Sequence, residues 1–388
     1  MNPDILTLQK INPIIKETES SPIRDMMKRM EETPDLINLA SGEANFDASP
    51  ELIENAVEAM KTGRNRYTST NGTPEIRSAI ASFLDVQMGV AVNPENILLT
   101  VGGMEAIYLA TRLLINPGDT VLLPDPGWGI MKPITQRLGA KVRFYPLSRK
   151  KSWHINAEPI LERIDDQCKL IVINSPSNPT GATITREAYA AILEKARRHG
   201  TFILSDEVYH NYLYSGEHVS ALSFDALDHV IVVNSFSKTF AVTGWRLGYV
   251  IAHPWVIRQM GVYKETISLC SYSVGQWAMA QYLPRCQPYL DDARNLCRRN
   301  MEKMVERLNA IPGVKCPVPQ GGIYVFPDFS EFEPSADKLF QCLLDSGVAV
   351  VPGPFFGVQG ESHARIMFAA SEEIIDRGLD RMEAALNA

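Results

Sequence analysis

Residues 230–249 read VIVVNSFSKTFAVTGWRLGY and give the clearest indication of the fold of this chain. The first four residues are apolar and β-branched at successive positions, which is typical of a strand covered on both faces in a parallel sheet. Small hydroxyl residues, a lysine and an arginine follow: Ser235, Ser237, Lys238 and Arg246. Because ligands bind outside the carboxyl ends of strands in open α/β sheets, this stretch predicts a ligand site at a sheet edge.

Short apolar runs of the same kind recur on both sides of this stretch and end in turn residues. They span 96–101, 120–123, 141–145, 170–173, 202–204 and 249–252. Helical patterns lie between them, at 105–114 and at 186–199, and the second ends at Gly200. This alternation predicts an α/β large domain over residues 46–283, with a mostly parallel mixed sheet between helices.

The pattern changes near residue 284, after which strands become fewer. A long charged amphipathic helix is predicted over 291–310, and short strands and helices follow it. These features predict a smaller α+β domain made of residues 284–388 together with an N-terminal arm, residues 1–45.

The composition limits the classes of partner and compartment. The chain has 388 residues, with 38 Lys and Arg against 45 Asp and Glu, so its formal net charge is −7. This balance argues against a general nucleic-acid-binding protein. No apolar run approaches the ~20 residues of a membrane span, and the first residues lack a secretory signal pattern. Six cysteines without a CxxC pair predict reduced thiols and no zinc site of that kind. We therefore expect a cytoplasmic protein without nucleic-acid, membrane or metal partners.

Lys238 is the first candidate for chemistry at the predicted sheet edge. A lysine there can form a Schiff base with an aldehyde cofactor, while Ser235, Ser237 and Arg246 can hold the phosphate of that cofactor. The alternative for the short SxSK pattern alone is a lysine on a surface loop.

Residues 202–209, FILSDEVY, place a carboxylate at the end of another buried strand. Such a carboxylate is costly to bury unless it has a partner, and a protonated pyridine nitrogen is one. Asp206 is therefore a candidate partner for the ring nitrogen of pyridoxal phosphate, and Tyr209 a candidate for its phenolic oxygen. The alternative is that Asp206 caps a helix N-terminus.

Two further motifs follow strands in the same way. Residues 174–181 read NSPSNPTG, in which Asn178 could bond to the same phenolic oxygen, although the segment could also be only a turn. Residues 98–106 read LLTVGGMEA, a strand, a glycine pair and a helix start. The backbone N–H groups of Gly103, Met104 and Glu105 would there face a phosphate.

Together these motifs identify a family. The chain resembles the fold-type I pyridoxal-phosphate aminotransferases of class I/II, the group similar to aspartate aminotransferase. GGMEA, NSPSNPTG, SDEVY and SFSKTFAVTGWRLGY occur in that family's order, and SGEANFD, RYTSTNGTPEIR and RIMFAAS extend the resemblance over nearly the whole chain. It implies transfer of an amino group between an L-amino acid and a 2-oxo acid by a ping-pong mechanism.

The resemblance implies roles for the residues around the cofactor. Lys238 corresponds to the lysine that forms the Schiff base and moves the proton, and Asp206 to the partner of the ring nitrogen. Asn178 and Tyr209 correspond to the donors to the phenolic oxygen. The phosphate would be held by Gly103, Met104, Ser235, Ser237 and Arg246.

It also implies contacts with the substrate and with a second subunit. Trp128, in DPGWGI, corresponds to the aromatic ring stacked on the cofactor, and the alternative is a core tryptophan. Arg365 corresponds to the arginine that binds the α-carboxylate, and Gly42 to a backbone contact with that carboxylate. Tyr67 corresponds to a tyrosine that reaches the phosphate of the neighbouring subunit, which implies a homodimer with shared active sites.

The motifs give less information about which substrate side chain the protein accepts. Gly127 and Gly129 replace residues that are often bulkier in relatives and are expected to leave room on the substrate side. Arg112, eight residues after Met104, could meet the distal carboxylate of a dicarboxylic substrate, and the alternative is a surface arginine. The apolar segment 11–15 could instead fold over the site and favour an apolar or aromatic side chain.

Two rival functions are compatible with parts of the pattern. The same carbanion chemistry supports a β-lyase that eliminates sulfur, or cyclisation of an S-adenosyl substrate, because fold alone does not fix the reaction. A non-catalytic pyridoxal-phosphate sensor domain of a transcription regulator is the other rival. The ~45 residues before the predicted sheet lack the helix-turn-helix pattern and basic excess that such regulators need.

Overall fold

The structure is a computed structural model that describes residues 28–149, 152–332 and 335–387. Its strands are β1 (Ile37–Asn38), β2 (Ile97–Thr100), β3 (Thr120–Asp125), β4 (Lys141–Pro146), β5 (Cys168–Asn174), β6 (Phe202–Asp206), β7 (Val230–Ser235), β8 (Gly248–Ile251), β9 (Tyr324–Val325), β10 (Val348–Ala349), β11 (Val351–Pro352) and β12 (Ala364–Met367). Its helices are α1 (Pro50–Lys61), α2 (Pro74–Met88), α3 (Gly102–Leu114), α4 (Met131–Arg137), α5 (Ala157–Leu161), α6 (Arg186–Arg198), α7 (Phe236–Thr239), α8 (Pro254–Glu265), α9 (Ser273–Tyr282), α10 (Gln287–Ala310), α11 (Ala336–Asp345) and α12 (Glu372–Leu386).

Strands β2 to β8 form one seven-stranded sheet in the order β2-β8-β7-β6-β5-β3-β4. β8 runs antiparallel to both of its neighbours, and the other pairs are parallel. Alternate residues of β7 belong to two separate apolar clusters: Val230 and Val232 to one, Ile231 and Val233 to the other. The sheet is therefore covered on both faces, which explains the continuous apolar runs and confirms the predicted α/β class.

The strand register brings several loops to one edge of this sheet. Asn174 at the end of β5 is opposite Asp206 at the end of β6. Gly248 at the start of β8 is opposite both Ser235 at the end of β7 and Thr100 at the end of β2. The segments that follow β2, β5, β6 and β7 therefore begin next to one another.

Two smaller sheets lie outside these strands. β11, β12 and β9 form an antiparallel sheet, and β1 pairs in parallel with β10. An isolated bridge joins Asn45 to Ala370. The residues just before the large sheet thus associate with the C-terminal segment, while the domain boundaries at residues 46 and 284 stay a prediction. None of the helices in the described ranges has both the length and the apolar character needed to cross a bilayer.

Helix α3 begins at Gly102, three residues before the predicted start at 105. The glycine pair suggested a loop, because glycine disfavours a helix interior. In the structure the pair lies in the first turn of the helix, and Gly248 of β8 permits close packing against it: a Cβ on Gly248 would lie 2.8 Å from the Gly102 carbonyl carbon. The helix N-terminus is therefore pressed against the sheet at the edge where the loops meet.

Candidate active site

Lys238 lies at this edge in the short helix α7, directly after β7. Burial lowers the pKa of its amine to about 8, Glu43 opposes that shift, and Arg365 and Arg246 add to it. Near neutral pH more of this amine is therefore unprotonated and nucleophilic than for an exposed lysine. Its Nζ lies 3.9 Å from where a Cβ on Gly42 would be, so the predicted carboxylate-binding backbone lies beside it.

Asp206 ends β6, opposite Val233 near the end of β7, and is buried. Burial raises the pKa of its carboxyl to about 7, and its Oδ1 accepts a hydrogen bond from the Val208 amide at 3.3 Å. Within the described ranges no lysine, arginine or histidine forms an ion pair with it. A turn rather than a helix follows at residues 208–210, so the backbone does not form the helix cap considered as an alternative. A buried carboxylate of this kind suits a protonated ring nitrogen.

Arg365 in β12 is buried and held in a fixed plane. Its Nη1 donates to Asn178 Oδ1 at 3.1 Å, and its Nη2 donates to the Ala40 carbonyl at 2.6 Å. The guanidinium carbon lies 4.2 Å from the centre of the Tyr324 ring and 5.2 Å from that of Phe356. Its buried Nε has no hydrogen-bond partner among the described residues. A fixed guanidinium with a spare donor suits a planar carboxylate.

Asn178 and Tyr209 can both donate towards a further acceptor. Because Asn178 Oδ1 accepts from Arg365, its Nδ2 is left for another partner. The Tyr209 hydroxyl lies 3.2 Å from the Tyr324 hydroxyl, and burial holds the pKa of Tyr209 well above its ordinary value. Tyr209 therefore stays protonated at neutral pH and can donate a hydrogen bond to an anionic oxygen.

A cup of donors lies between the start of α3 and the loop after β7. A Cβ on Gly102 would lie 2.5 Å from Arg246 Nη2, so the guanidinium packs directly against this glycine. Gly102 has φ of +70°, which a glycine adopts without strain. The amides of Gly103 and Met104 belong to the first turn of α3, where N–H groups have no acceptor within the helix.

Two serines complete this cup. Ser235 Oγ accepts from the Ser237 amide at 3.2 Å and donates to the Leu247 carbonyl at 3.3 Å. Ser237 Oγ is buried and has no partner in the part of the chain that the structure describes. Amides, hydroxyls and a guanidinium that converge on a helix N-terminus suit a phosphate group.

Trp128 lies half-buried in the loop after β3, against the apolar cluster on one sheet face. Its glycine neighbours make close contacts: a Cβ on Gly127 would lie 2.5 Å from Pro124 Cγ, and one on Gly129 would lie 2.3 Å from the Phe355 carbonyl oxygen. The chain itself occupies the space beside both glycines. The expectation that they leave room for the substrate is therefore wrong.

Tyr67 is 84% exposed in the single chain. Gln276 forms two hydrogen bonds with the loop that carries Tyr67. Its Oε1 accepts from the Thr73 amide at 3.0 Å, and its Nε2 donates to Thr68 Oγ1 at 3.1 Å. Gln276 itself has no solvent exposure. The ring of Tyr67 is therefore accessible to another molecule, and its loop is fixed by hydrogen bonds.

Arg112 lies on α3 with an exposed side chain. Its guanidinium carbon is 5.9 Å from the centre of the Tyr263 ring on α8. This contact favours the surface alternative over a contact with the substrate. The apolar segment 11–15 lies outside the described residues.

The arrangement also includes residues that the sequence did not single out. Tyr324 contacts both Tyr209 and Arg365, and its hydroxyl lies 3.1 Å from where a Cβ on Gly42 would be. Glu43 accepts a hydrogen bond from the Thr243 hydroxyl in the loop after α7. Glu43 lies in the quoted motif SGEANFD, where it follows Gly42 directly, and Tyr324 lies in GGIYVF, residues 321–326, which no quoted motif includes.

The site fits the parts of pyridoxal phosphate one by one. A buried amine of lowered pKa matches the aldehyde, and a buried carboxylate without a cation matches the ring nitrogen. Protonated donors match the phenolic oxygen. The helix N-terminus, the serines and the guanidinium match the phosphate.

Similarity to known proteins points to the same cofactor and the same family. The sequence profile described as Aminotransferase class I and II matches residues 34–382. The chain is 35% identical over 376 residues to the aspartate aminotransferase of Pyrococcus horikoshii, with 94% of each chain covered. It is 33% identical over 355 residues to the aspartate/prephenate aminotransferase of Thermus thermophilus, with 91% of each covered. The structure of Thermus thermophilus aspartate aminotransferase with maleate has a TM-score of 0.90 and 31% identity, covering 97% of this chain and 99% of that chain.

These matches extend over most of the chain and include its fold as well as its sequence. Members of the family use pyridoxal phosphate, and the relatives named above are aminotransferases, so the lyase alternative is not favoured. The expected family is confirmed: the chain belongs to the aminotransferase class I and II family and is a pyridoxal-phosphate-dependent aminotransferase.

Proposed function

We propose that the residues at this sheet edge divide the work of transamination as their positions suggest. When bound, pyridoxal phosphate supplies an electron sink for negative charge at the substrate α-carbon. Lys238 holds the cofactor through Nζ and, when free, moves the proton from the substrate α-carbon. Asp206 provides the negative charge opposite the ring nitrogen, and Asn178 and Tyr209 donate to the phenolic oxygen.

The substrate is held through its α-carboxylate by Arg365 and the backbone at Gly42. The observation that supports this most is the buried guanidinium, fixed by Asn178 and the Ala40 carbonyl with its Nε unpaired among the described residues. A carboxylate fixed there turns the amino group and the α-hydrogen towards Lys238. Donor and acceptor acids use the same arginine in turn, so we expect ping-pong kinetics.

Phosphate binding and stacking complete the proposal. The phosphate is held by the amides of Gly103 and Met104 and by Ser235, Ser237 and Arg246. Trp128 stacks on the cofactor ring from the loop after β3.

For the preferred donor we propose an amino acid with a neutral, apolar or aromatic side chain. Arg365 lies between two aromatic rings, and Met104 at the start of α3 is an apolar side chain that is 37% exposed. The guanidinium of Arg112 lies over Tyr263. Aspartate is the second candidate, because the relatives from Pyrococcus horikoshii and Thermus thermophilus are named for it.

A donor panel separates the two candidates. Aspartate, alanine and phenylalanine are compared with 2-oxoglutarate and pyruvate as acceptors, in the wild type and in Arg112→Ala. We expect the neutral donors to have the higher kcat/KM, and Arg112→Ala to change all donors alike, as does the control Arg258→Ala, another exposed arginine. A tenfold or larger rise in KM for aspartate and 2-oxoglutarate alone in Arg112→Ala would instead assign Arg112 to the distal carboxylate.

We propose further that the protein is a cytoplasmic homodimer. The exposed, anchored Tyr67 supports a contact with the phosphate bound by the partner subunit. All six cysteines lie in the described ranges and are free thiols, which suits a reducing compartment.

A further inference from the structure

A buried ion pair lies behind the N-terminus of α3. Lys264 on α8 has no solvent exposure, and its Nζ donates to Glu105 Oε2 at 2.8 Å and to Ser268 Oγ at 2.6 Å. The Ser268 hydroxyl in turn donates to Glu105 Oε1. Lys264 is the one fully buried lysine within the described ranges. An ammonium in such a place is costly unless it is paired, so the buried charge of Lys264 depends on Glu105 and Ser268.

Glu105 connects this pair to the proposed phosphate cup. Its Oε2 also accepts a hydrogen bond from the Val101 amide at 2.7 Å, one helical turn back along the chain. Val101 directly precedes Gly102, and the amides assigned to the cup belong to the next two residues, Gly103 and Met104. The carboxylate thus fixes the first turn of α3 and lies within about one turn of the phosphate position.

This position creates an electrostatic conflict. A phosphate dianion and a carboxylate repel each other, and at buried sites salt screens that repulsion weakly. The Glu105 side chain is only 9% exposed, so water contributes little to the screening. An unneutralised Glu105 would fix the helix start and at the same time oppose the anion that the helix start binds.

We infer that Lys264 is a positioning residue for cofactor binding, which neutralises Glu105 so that this carboxylate can hold the helix start without repelling the phosphate. The inference rests on the proposed function, specifically on binding of the phosphate at the start of α3. Lys264 acts through Glu105 and makes no contact with the cofactor. The alternative is an ion pair that contributes to folding alone.

The test uses the full-length chain freed of cofactor and measures equilibrium binding of two ligands. Pyridoxal 5'-phosphate has the phosphate, and pyridoxal lacks it. Lys264→Met keeps the apolar stem and removes the charge. We expect its Kd for pyridoxal 5'-phosphate to rise at least tenfold while its Kd for pyridoxal changes less than twofold. In Lys264→Met/Glu105→Gln, where both charges are absent, the Kd for pyridoxal 5'-phosphate should return to within threefold of the wild type.

A lysine from another ion pair provides the control for removal of a paired charge. Lys303→Met removes a lysine that forms an ion pair with Asp376 at 2.7 Å away from the cup, and should leave both Kd values unchanged. An equal loss for both ligands in Lys264→Met, or no recovery in the double variant, would overturn the inference. Should Lys264→Met not fold, Glu105→Gln decides: it should bind pyridoxal 5'-phosphate at least as tightly as the wild type, and a tenfold loss would overturn the inference.

A separate variant tests the proposed function on which the inference rests. Ser235→Ala removes a cup hydroxyl and should weaken binding of pyridoxal 5'-phosphate but not of pyridoxal. If Ser235→Ala has no such selective effect, the phosphate assignment fails. If Ser235→Ala has it and Lys264→Met does not, the phosphate assignment holds and the inference about Lys264 fails.

Discussion

The carboxyl of Asp206 should destabilise the cofactor-free protein, and Asp206→Asn should remove that cost. Burial raises its pKa from 3.8 to about 7, whereas the unfolded chain ionises it near 3.8. For a raised pKa, the contribution to stability is complete below pH 4 and is lost as the pH rises to about 7. A rise from 3.8 to about 7 corresponds to about 4 kcal/mol above pH 7, because a tenfold change in an ionisation constant is ~1.4 kcal/mol.

The prediction concerns the pH dependence of the difference between variant and wild type. At pH 5 about 1.5 kcal/mol of this cost already applies, so about 2–3 kcal/mol is added between pH 5 and pH 8. The free energy of unfolding of Asp206→Asn, minus that of the wild type, should increase by this amount over the same range. Other titrating groups are common to both proteins and cancel in the difference.

Urea denaturation of the cofactor-free, full-length proteins at one protein concentration measures this difference. Asp85→Asn, on the exposed face of α2, is the control for removal of an exposed carboxylate, against which the result for Asp206→Asn is compared. A difference for Asp206→Asn that is constant to within ~0.5 kcal/mol from pH 5 to pH 8 would refute the argument from burial.

In the enzyme with pyridoxal phosphate bound, Asp206→Asn should be harmful rather than stabilising. The proposed cation opposite Asp206 is present only with the cofactor, so the carboxylate that is costly in its absence becomes favourable in its presence. We expect Asp206→Asn to lower kcat/KM by more than tenfold, or ~1.4 kcal/mol of barrier. A smaller loss would indicate that Asp206 serves only to accept from the Val208 amide.

Three further predictions concern attachment, substrate binding and assembly. Lys238→Ala should abolish transamination and borohydride-reducible attachment of the cofactor, and a reducible link that persists in this variant would identify another lysine. In the wild type, the rate of attachment should rise with pH with a midpoint near pH 8, because burial lowers the pKa of Lys238 to about 8. Arg365→Lys should lower kcat/KM for every donor by about 10–100-fold, since a charge-assisted hydrogen bond is worth ~1.5–3 kcal/mol; an unchanged KM and kcat would remove it from the site. Tyr67→Phe should weaken binding of pyridoxal 5'-phosphate in a chain that sediments as a dimer, whereas a wild-type monomer with full activity at nanomolar concentration would contradict the shared site.

The large sheet could be predicted from sequence because its strands are buried on both faces. Runs such as 230–233 are apolar at every position, and β-branched residues distinguish them from helices of similar hydrophobicity. The polar residues that follow such runs are also visible in the sequence, and Asp206 and Lys238 are among them. These features are local, so neighbouring residues in the sequence suffice to indicate them.

The supporting contacts could not be predicted because their partners are distant in the sequence. Lys264 and Glu105 are 159 residues apart, and Gln276 is 208 residues from Thr68. No periodicity links such pairs, and each residue alone is typical of a helix surface. The space beside a glycine is not predictable for a related reason: whether Gly129 leaves space depends on the Phe355 carbonyl oxygen, which is distant in the sequence.

Burial has opposite effects on the two central groups of this site, and both effects favour the neutral form. It raises the pKa of the Asp206 carboxyl to about 7 and lowers the pKa of the Lys238 amine to about 8. Without the cofactor, the charged form of each group is disfavoured: Asp206 has no ion-pair partner among the described residues, and Glu43 offsets only part of the shift of Lys238. A cofactor with a cationic ring nitrogen and an amine-reactive aldehyde relieves both costs at once. Cofactor binding should therefore be coupled to the stability of the whole sheet edge, because a ligand that binds only the native state stabilises it by mass action.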